Sequence, residues 1–269
     1  MTSTYQQHRP GHTDLGALAT ERPLSRLALG AFALAVLAGL LVLAAGPGTR
    51  AGWWDFRTGF SLLKWGAYLG ILAAVVCLAA AVRSWRMNGR WLALAGVAVA
   101  LVAVAVPWSF RRGASGAPPI HDVTTDTRNP PAFVAVAPLR ADAPNPVAYE
   151  GEPVAEQQRR AYPDLQPLMM TAPLSVVFDD ALATAERMGW EIVDSNREEG
   201  RIEATATTTW FGFKDDVVIR VMPASGVARV DVRSKSRVGR GDAGANAARI
   251  RDYLEALRAR RPQAVVEAG

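Results

Sequence analysis

Three runs in the first half of the chain carry no charged side chain: Leu27–Ala45, Trp65–Val82 and Trp91–Trp108. In lipid every backbone amide needs a partner within its own segment, so an uncharged run of about 18 residues or more predicts a helix that crosses a bilayer. The first run exceeds the apolar core of a cleavable signal peptide, which is roughly 7–15 residues, and two more runs follow it. Trp53, Trp54, Trp65, Trp85, Trp91 and Trp108 cluster at the run ends, where an amphipathic ring favours the membrane–water interface. No run contains an acid or a histidine, and Lys64 stands at an edge where it can snorkel. A conduit or proton relay needs polar groups inside the membrane, so these spans read as an anchor.

The net charge of +5 is unevenly placed. Residues 1–116 hold 11 Arg+Lys and 3 Asp+Glu, a net of +8, whereas residues 117–269 hold 19 and 22, a net of −3. The positive excess therefore reports membrane topology and argues against nucleic acid as a partner. Arg9, Arg22 and Arg26 before the first run, and three Arg in the loop Arg83–Arg90, mark the cytoplasmic side. Arg50, Arg57, Lys64, Arg111 and Arg112 lie opposite, and the compactness of the Arg83–Arg90 loop decides the orientation. The N-terminus is then cytoplasmic and the C-terminal half lies beyond the membrane. Cys77, the single cysteine, excludes a disulfide within the chain and a cysteine-based metal site.

The expected division is a disordered tail over 1–23, where His8 and His12 are solvated; an anchor over 24–112; a linker and Pro-rich wrapping segment over 113–170; an α+β core over 171–262; and a frayed tail over 263–269. In the wrapping segment Asn129-Pro-Pro, Pro144-Asn-Pro and Tyr162-Pro-Asp predict extended, irregular backbone, with a short helix near Pro153–Ala161. Pro173–Gly189 is an amphipathic helix with Val177, Phe178, Ala181, Leu182, Ala185 and Met188 on one face. Four strands follow, at Trp190–Ser195, Arg201–Phe211, Asp215–Met222 and Ala228–Ser236. The second alternates apolar and polar residues, the mark of a half-buried strand. A last helix opens at Asp242 and stops before Pro262. The short connections predict an α-β-β-β-β-α domain, a four-stranded antiparallel sheet with two helices on one face.

Within this half, residues 229–251 hold seven basic and two acidic groups, a positive ribbon on an acidic body. Such a ribbon either pairs internally or presents an anion site. Gly239-Arg-Gly-Asp-Ala-Gly244 matches the spacing of a dinucleotide fingerprint, but no parallel strand follows the helix. The glycines read as a tight turn capped by Asp242. Asn246 shares a helix face with Ile250, Tyr253 and Leu257 and so leans toward the core, either as a hydrogen-bonded strut or as a ligand contact. His121, flanked by Asp122 and Asp126, could serve a hydrolase with Ser234 or Ser236, although no nucleophile-elbow motif accompanies them. Asp215-Asp216 reads as a turn and ion-pair element, and the scattered carboxylates make no metal set.

HDVTTD with NPP, YPDL, IEATATTTWFGFKDDVVIRV and above all DVRSKSRVGRGDAGANAARI resemble the domain-of-unknown-function family 1499 over roughly residues 118–258. The resemblance implies a bacterial envelope or chloroplast setting, here a bacterial inner membrane with a periplasmic domain, and it implies no established activity. The family pattern falls on His121, Asp126, Trp190, Asp215, Asp216, Arg220, Arg233, Ser234, Ser236, Arg237, Gly239, Asp242, Gly244, Asn246 and Arg249. The leading expectation is a domain that binds a small anionic or polar ligand or an envelope protein. Its recognition surface would draw on His121, Asp126, Asp215, Asp216, Arg220, Arg233, Ser234, Arg237, Asp242, Asn246 and Arg249, without metal or cofactor. An envelope hydrolase using His121 and a structural assembly factor are the alternatives.

Overall fold

A computed structural model of the protein describes residues 24–84 and 88–266. Three helices come first: α1 (Arg26–Arg50), α2 (Phe56–Arg83) and α3 (Arg90–Ala114). All three are long and apolar enough to cross a membrane. Asp55 starts α2 by accepting hydrogen bonds from the Arg57 and Thr58 backbone N–H groups. Lipid offers no hydrophobic drive between helices, so contact depends on small residues that allow close approach. Ala28, Ala31 and Ala35 of α1 meet Ala73, Cys77 and Ala80 of α2 in this way, Gly66 of α2 faces Ala38, and Gly70 faces Ala100 and Ala103 of α3, all buried. At Gly66 a Cβ would stand 2.7 Å from Val42 Cγ2. The expected tail over 1–23, with His8 and His12, lies outside the described residues, as do Trp85 and residues 267–269.

The second half is an antiparallel sheet domain. Its elements are β1 (Asp122–Thr124), α4 (Glu152–Ala161), β2 (Leu168–Met170), α5 (Leu174–Arg187), β3 (Glu191–Asn196), β4 (Arg201–Thr207), β5 (Lys214–Ala224), β6 (Val227–Ser236), α6 (Ala245–Arg260) and β7 (Val265–Val266). The β3–β6 meander is the expected four strands, but the sheet has seven. The outer edge of β6 is too long to leave unpaired. β1 covers its far end, with Val123 opposite Ser234, and β2 covers its near end, with Leu168 opposite Val230. β7, in a stretch read as a frayed tail, then pairs β2. Alternation and β-propensity could not reveal three strands of two or three residues, because each exists only as the complement of an edge. The alternating pattern predicts a second strand of the meander that continues to Phe211. The strand ends at Thr207, and Thr208–Phe213 turns back as a hairpin tip held by Phe213 N–H donating to Thr208 Oγ1 at 2.9 Å.

α5 and α6 pack on one face of the sheet. Val177, Phe178 and Ala181 with Ala247, Ile250, Tyr253 and Leu257 close over Ile202, Ala204, Val217, Ile219, Val230 and Val232. Trp190 stacks on Tyr253 with centroids 5.2 Å apart, and the Tyr253 hydroxyl donates to Ala181 O at 2.9 Å. The opposite face was expected to be polar and half-solvated. It is covered instead by a strap, residues 126–150, which lays Phe133, Val136 and Val147 against Val193 and Val218. β4 is therefore buried on both faces, its polar side included: Glu203 and Thr205 are as inaccessible as Ile202 and Ala204.

Candidate functional site

Covering a charged sheet face with a Pro-rich strap sets a strict condition: each buried charge needs a partner. On the strap side Arg233 donates twice to Asp122, from Nε at 2.9 Å and Nη2 at 2.8 Å, and again to the carbonyls of Pro131 and Val147. Lys235 Nζ lies 3.0 Å from Asp122 Oδ2 and donates to Ala148 O at 2.8 Å. Arg237 makes the same two-pronged contact with Asp216, which Arg140 of the strap also approaches at 3.1 Å. Arg220 and Arg229 share Asp231 and Asp126. Glu203 accepts from three successive strap amides, Val134, Ala135 and Val136, at 2.9, 3.1 and 2.8 Å. Prolines have removed other donors from this segment, and Glu203 satisfies three of those that remain. Five of the proposed recognition residues, Asp126, Asp216, Arg220, Arg233 and Arg237, thus hold the strap to the sheet.

The remaining six gather around the C-terminal end of β6, on the opposite, helix side of the sheet. The turn from Ser236 to Gly244 carries Gly239 at φ +97°, Ala243 at +56° and Gly244 at +84°, the left-handed backbone that favours glycine. Asp242 then accepts from the Gly244 and Asn246 backbone N–H groups, both at 2.8 Å, and starts α6. Asn246 is fully buried and uses its whole amide. It donates to His121 O at 3.1 Å and Ser236 Oγ at 3.0 Å, and accepts from Ser234 Oγ and Arg249, both at 2.6 Å. Arg249 continues to Asp215 at 2.6 Å. The turn and the His121 arm are joined directly, with Asp242 N–H donating to Ile120 O at 3.2 Å. His121 Nδ1 lies 3.4 Å from Arg240 O, and Nε2 lies 2.8 Å from Glu150 without hydrogen-bond alignment. Both serine hydroxyls are engaged with Asn246, so ring and hydroxyls face different partners and no Ser–His pair is assembled.

Between this turn and the helices lies a cavity of about 900 Å³. Its lower wall is formed by α2 and α3, from Phe56 and Phe60 down to Ile71 and from Arg111 down to Val104. Its upper wall is the hairpin tip Trp210–Phe213, with Asp215, Ser236 and Asp242 at the domain end. The tip fixes the domain onto the helices. Phe211 packs against Phe60 at 5.1 Å, Trp210 meets Phe110 edge-on at 6.0 Å, and Arg50 donates to Thr209 O at 2.6 Å. Trp210 sits where α1 has only a glycine: a Cβ on Gly46 would lie 1.3 Å from Trp210 Cδ1. Burial raises the Asp242 carboxyl above its usual range, against the two backbone N–H groups that hold it, and the nearby Asp215 raises it further.

A family model described as a protein of unknown function, DUF1499, matches residues 122–257, just over half of the chain. The chain belongs to the DUF1499 family. No curated protein matches it. The DUF1499 match starts at Asp122, so the three helices lie outside it. The cavity is consequently composite, with a floor outside the DUF1499 match and a roof within it. Sequence reasoning picked out Asp215 and Asp242 and missed Lys64, Arg111 and the aromatic tip as parts of the same site. The signal was present in Trp210-Phe-Gly-Phe213, three aromatic residues at a strand end, where a soluble hairpin would carry polar residues.

Proposed function

We propose that this is an inner-membrane protein whose DUF1499 domain sits on the extracytoplasmic end of three spans and binds an amphipathic molecule drawn from the bilayer. The cavity carries this reading. Its helix-lined wall runs from Phe56 to Ile71, roughly 22 Å at about 1.5 Å per residue, which approaches the half-thickness of a bilayer. The wall is mostly apolar; Lys64 and Tyr68 are its polar members on α2, and the other charged groups stand at the last turn of α3 and at the domain. A volume near 900 Å³ is at the upper end of the range for ligand pockets. The arginine-rich sheet face supports a different role, since its guanidinium groups are already matched by carboxylates and strap carbonyls. The orientation rests on the Arg83–Arg90 loop and on the odd number of spans.

The test is native mass spectrometry of the full chain released from detergent, compared with Ala67→Phe, which places a ring in the cavity wall. Wild-type protein retains bound lipid through purification and the variant loses it, with unchanged thermal unfolding. Equal lipid retention by both proteins refutes the reading.

A further inference from the structure

Six acidic residues among those described are buried, and each has a cationic partner: Asp122 with Arg233, Asp180 with Arg260, Glu203 with Arg201, Asp215 with Arg249, Asp216 with Arg237 and Asp231 with Arg220. Asp242 departs from this rule. It is half-buried and lines the cavity. Among the described residues its carboxylate meets two backbone N–H groups and no guanidinium or ammonium. Backbone amides leave further lone pairs on both oxygens. The complementary departure is on the floor of the same cavity. Lys64 and Arg111 are exposed, and among the described residues neither has a carboxylate partner. Arg111 stands in the last turn of α3 and Lys64 two turns into α2 from its domain end, and both side chains are long enough to snorkel toward lipid phosphates. One cavity thus has an unmatched anion at its roof, unmatched cations at its rim and an apolar wall below.

Resting on the lipid-binding reading, we infer that the occupant is a membrane phospholipid with a primary-amine headgroup. Its acyl chains lie between α2 and α3, its phosphate meets Lys64 and Arg111, and its ammonium donates to Asp242. An anionic headgroup without an amine would bring its phosphate to Lys64 and Arg111 but leave Asp242 without a counterion. A neutral diacylglycerol would satisfy neither end.

The experiment titrates delipidated full-length protein in detergent with phosphatidylethanolamine and phosphatidylglycerol of identical acyl chains, reading bound lipid by native mass spectrometry. Phosphatidylethanolamine binds about ten-fold more tightly in wild-type protein, the weight of one charge-assisted contact. Asp242→Asn keeps the side chain's size and one acceptor oxygen for the N–H groups at the helix entry and abolishes that preference. Lys64→Gln weakens both lipids alike and leaves their ratio unchanged. Equal binding of the two lipids by wild type, or a preference that survives Asp242→Asn, overturns the headgroup assignment. If Ala67→Phe abolishes binding of both lipids while wild type does not discriminate, the cavity stands and only the ammonium contact falls. If Ala67→Phe leaves both titrations unchanged, the cavity reading itself falls.

Discussion

Asp122→Asn is the sharpest probe of the strap. The substitution keeps volume and shape and removes one negative charge. In the native structure Asp122 is 0% exposed and faces two cations, Arg233 and Lys235, whose side chains are 3% and 0% exposed. Among the described residues Lys235 has one other ion-pair partner, Glu150, at 3.5 Å and 35% exposed. Without Asp122, Arg233 keeps only the carbonyls of Pro131 and Val147, and Lys235 keeps one partly solvated carboxylate. Removing one member of a buried ion pair costs about 3–5 kcal/mol, and two charge-assisted hydrogen bonds at about 1.5–3 kcal/mol each give the same range. For a domain of this size that lowers the unfolding midpoint by about 6–20 °C. The assay is thermal proteolysis of the full chain in nanodiscs, following loss of the intact soluble fragment. The control is Asp164→Asn, which removes an ion pair to Arg251 whose side chains are 54% and 41% exposed; a shift of about 1 °C or less is expected there. If Asp122→Asn shifts the midpoint no more than this control, the strap is solvated in solution and the arginine face returns as a candidate binding surface.

Other perturbations follow from the same geometry. Glu203→Gln replaces an acceptor oxygen with an NH₂ group opposite strap amides, so residues 126–150 become sensitive to protease before the sheet does, at a cost of about 2–4 kcal/mol; simultaneous loss of strap and sheet would contradict it. Gly46→Leu fills the seat of Trp210 and releases the hairpin tip, exposing the Gly113–Pro119 linker to cleavage while residues 122–257 stay folded; an unaltered cleavage pattern would mean the tip is not what docks the domain. Asp242 titrates at a raised value in the folded state because burial disfavours its charge. Its contribution to stability is therefore complete below the ordinary carboxylate value and is lost as pH rises through the folded value. The midpoint of wild type relative to Asp242→Asn should accordingly fall as pH rises from about 4; a difference independent of pH would show that the group is not buried.

Local pattern in the chain specifies the three helices long and apolar enough to cross a membrane, the β3–β6 meander, both packing helices and the tight turn after β6, because each is written in a local period, a charge-free length or a glycine. The sequence also singled out the residues of the positive ribbon, all of which except Arg240 hold side-chain partners among the described residues, but not those partners. Arg233 and Asp122 are 111 positions apart, and a linear charge count cannot tell a paired guanidinium from a free one. The short strands β1, β2 and β7 were unreadable for a related reason, since they answer an edge that exists only after β6 is in place. Tertiary structure alone decided that the polar sheet face is an interior, that the hairpin tip enters a notch left by Gly46, and that Asp242 shares a cavity with Lys64 and Arg111. Hydrophobic periodicity specifies which face of an element is buried, whereas the match between distant charges depends on where the folded chain brings them.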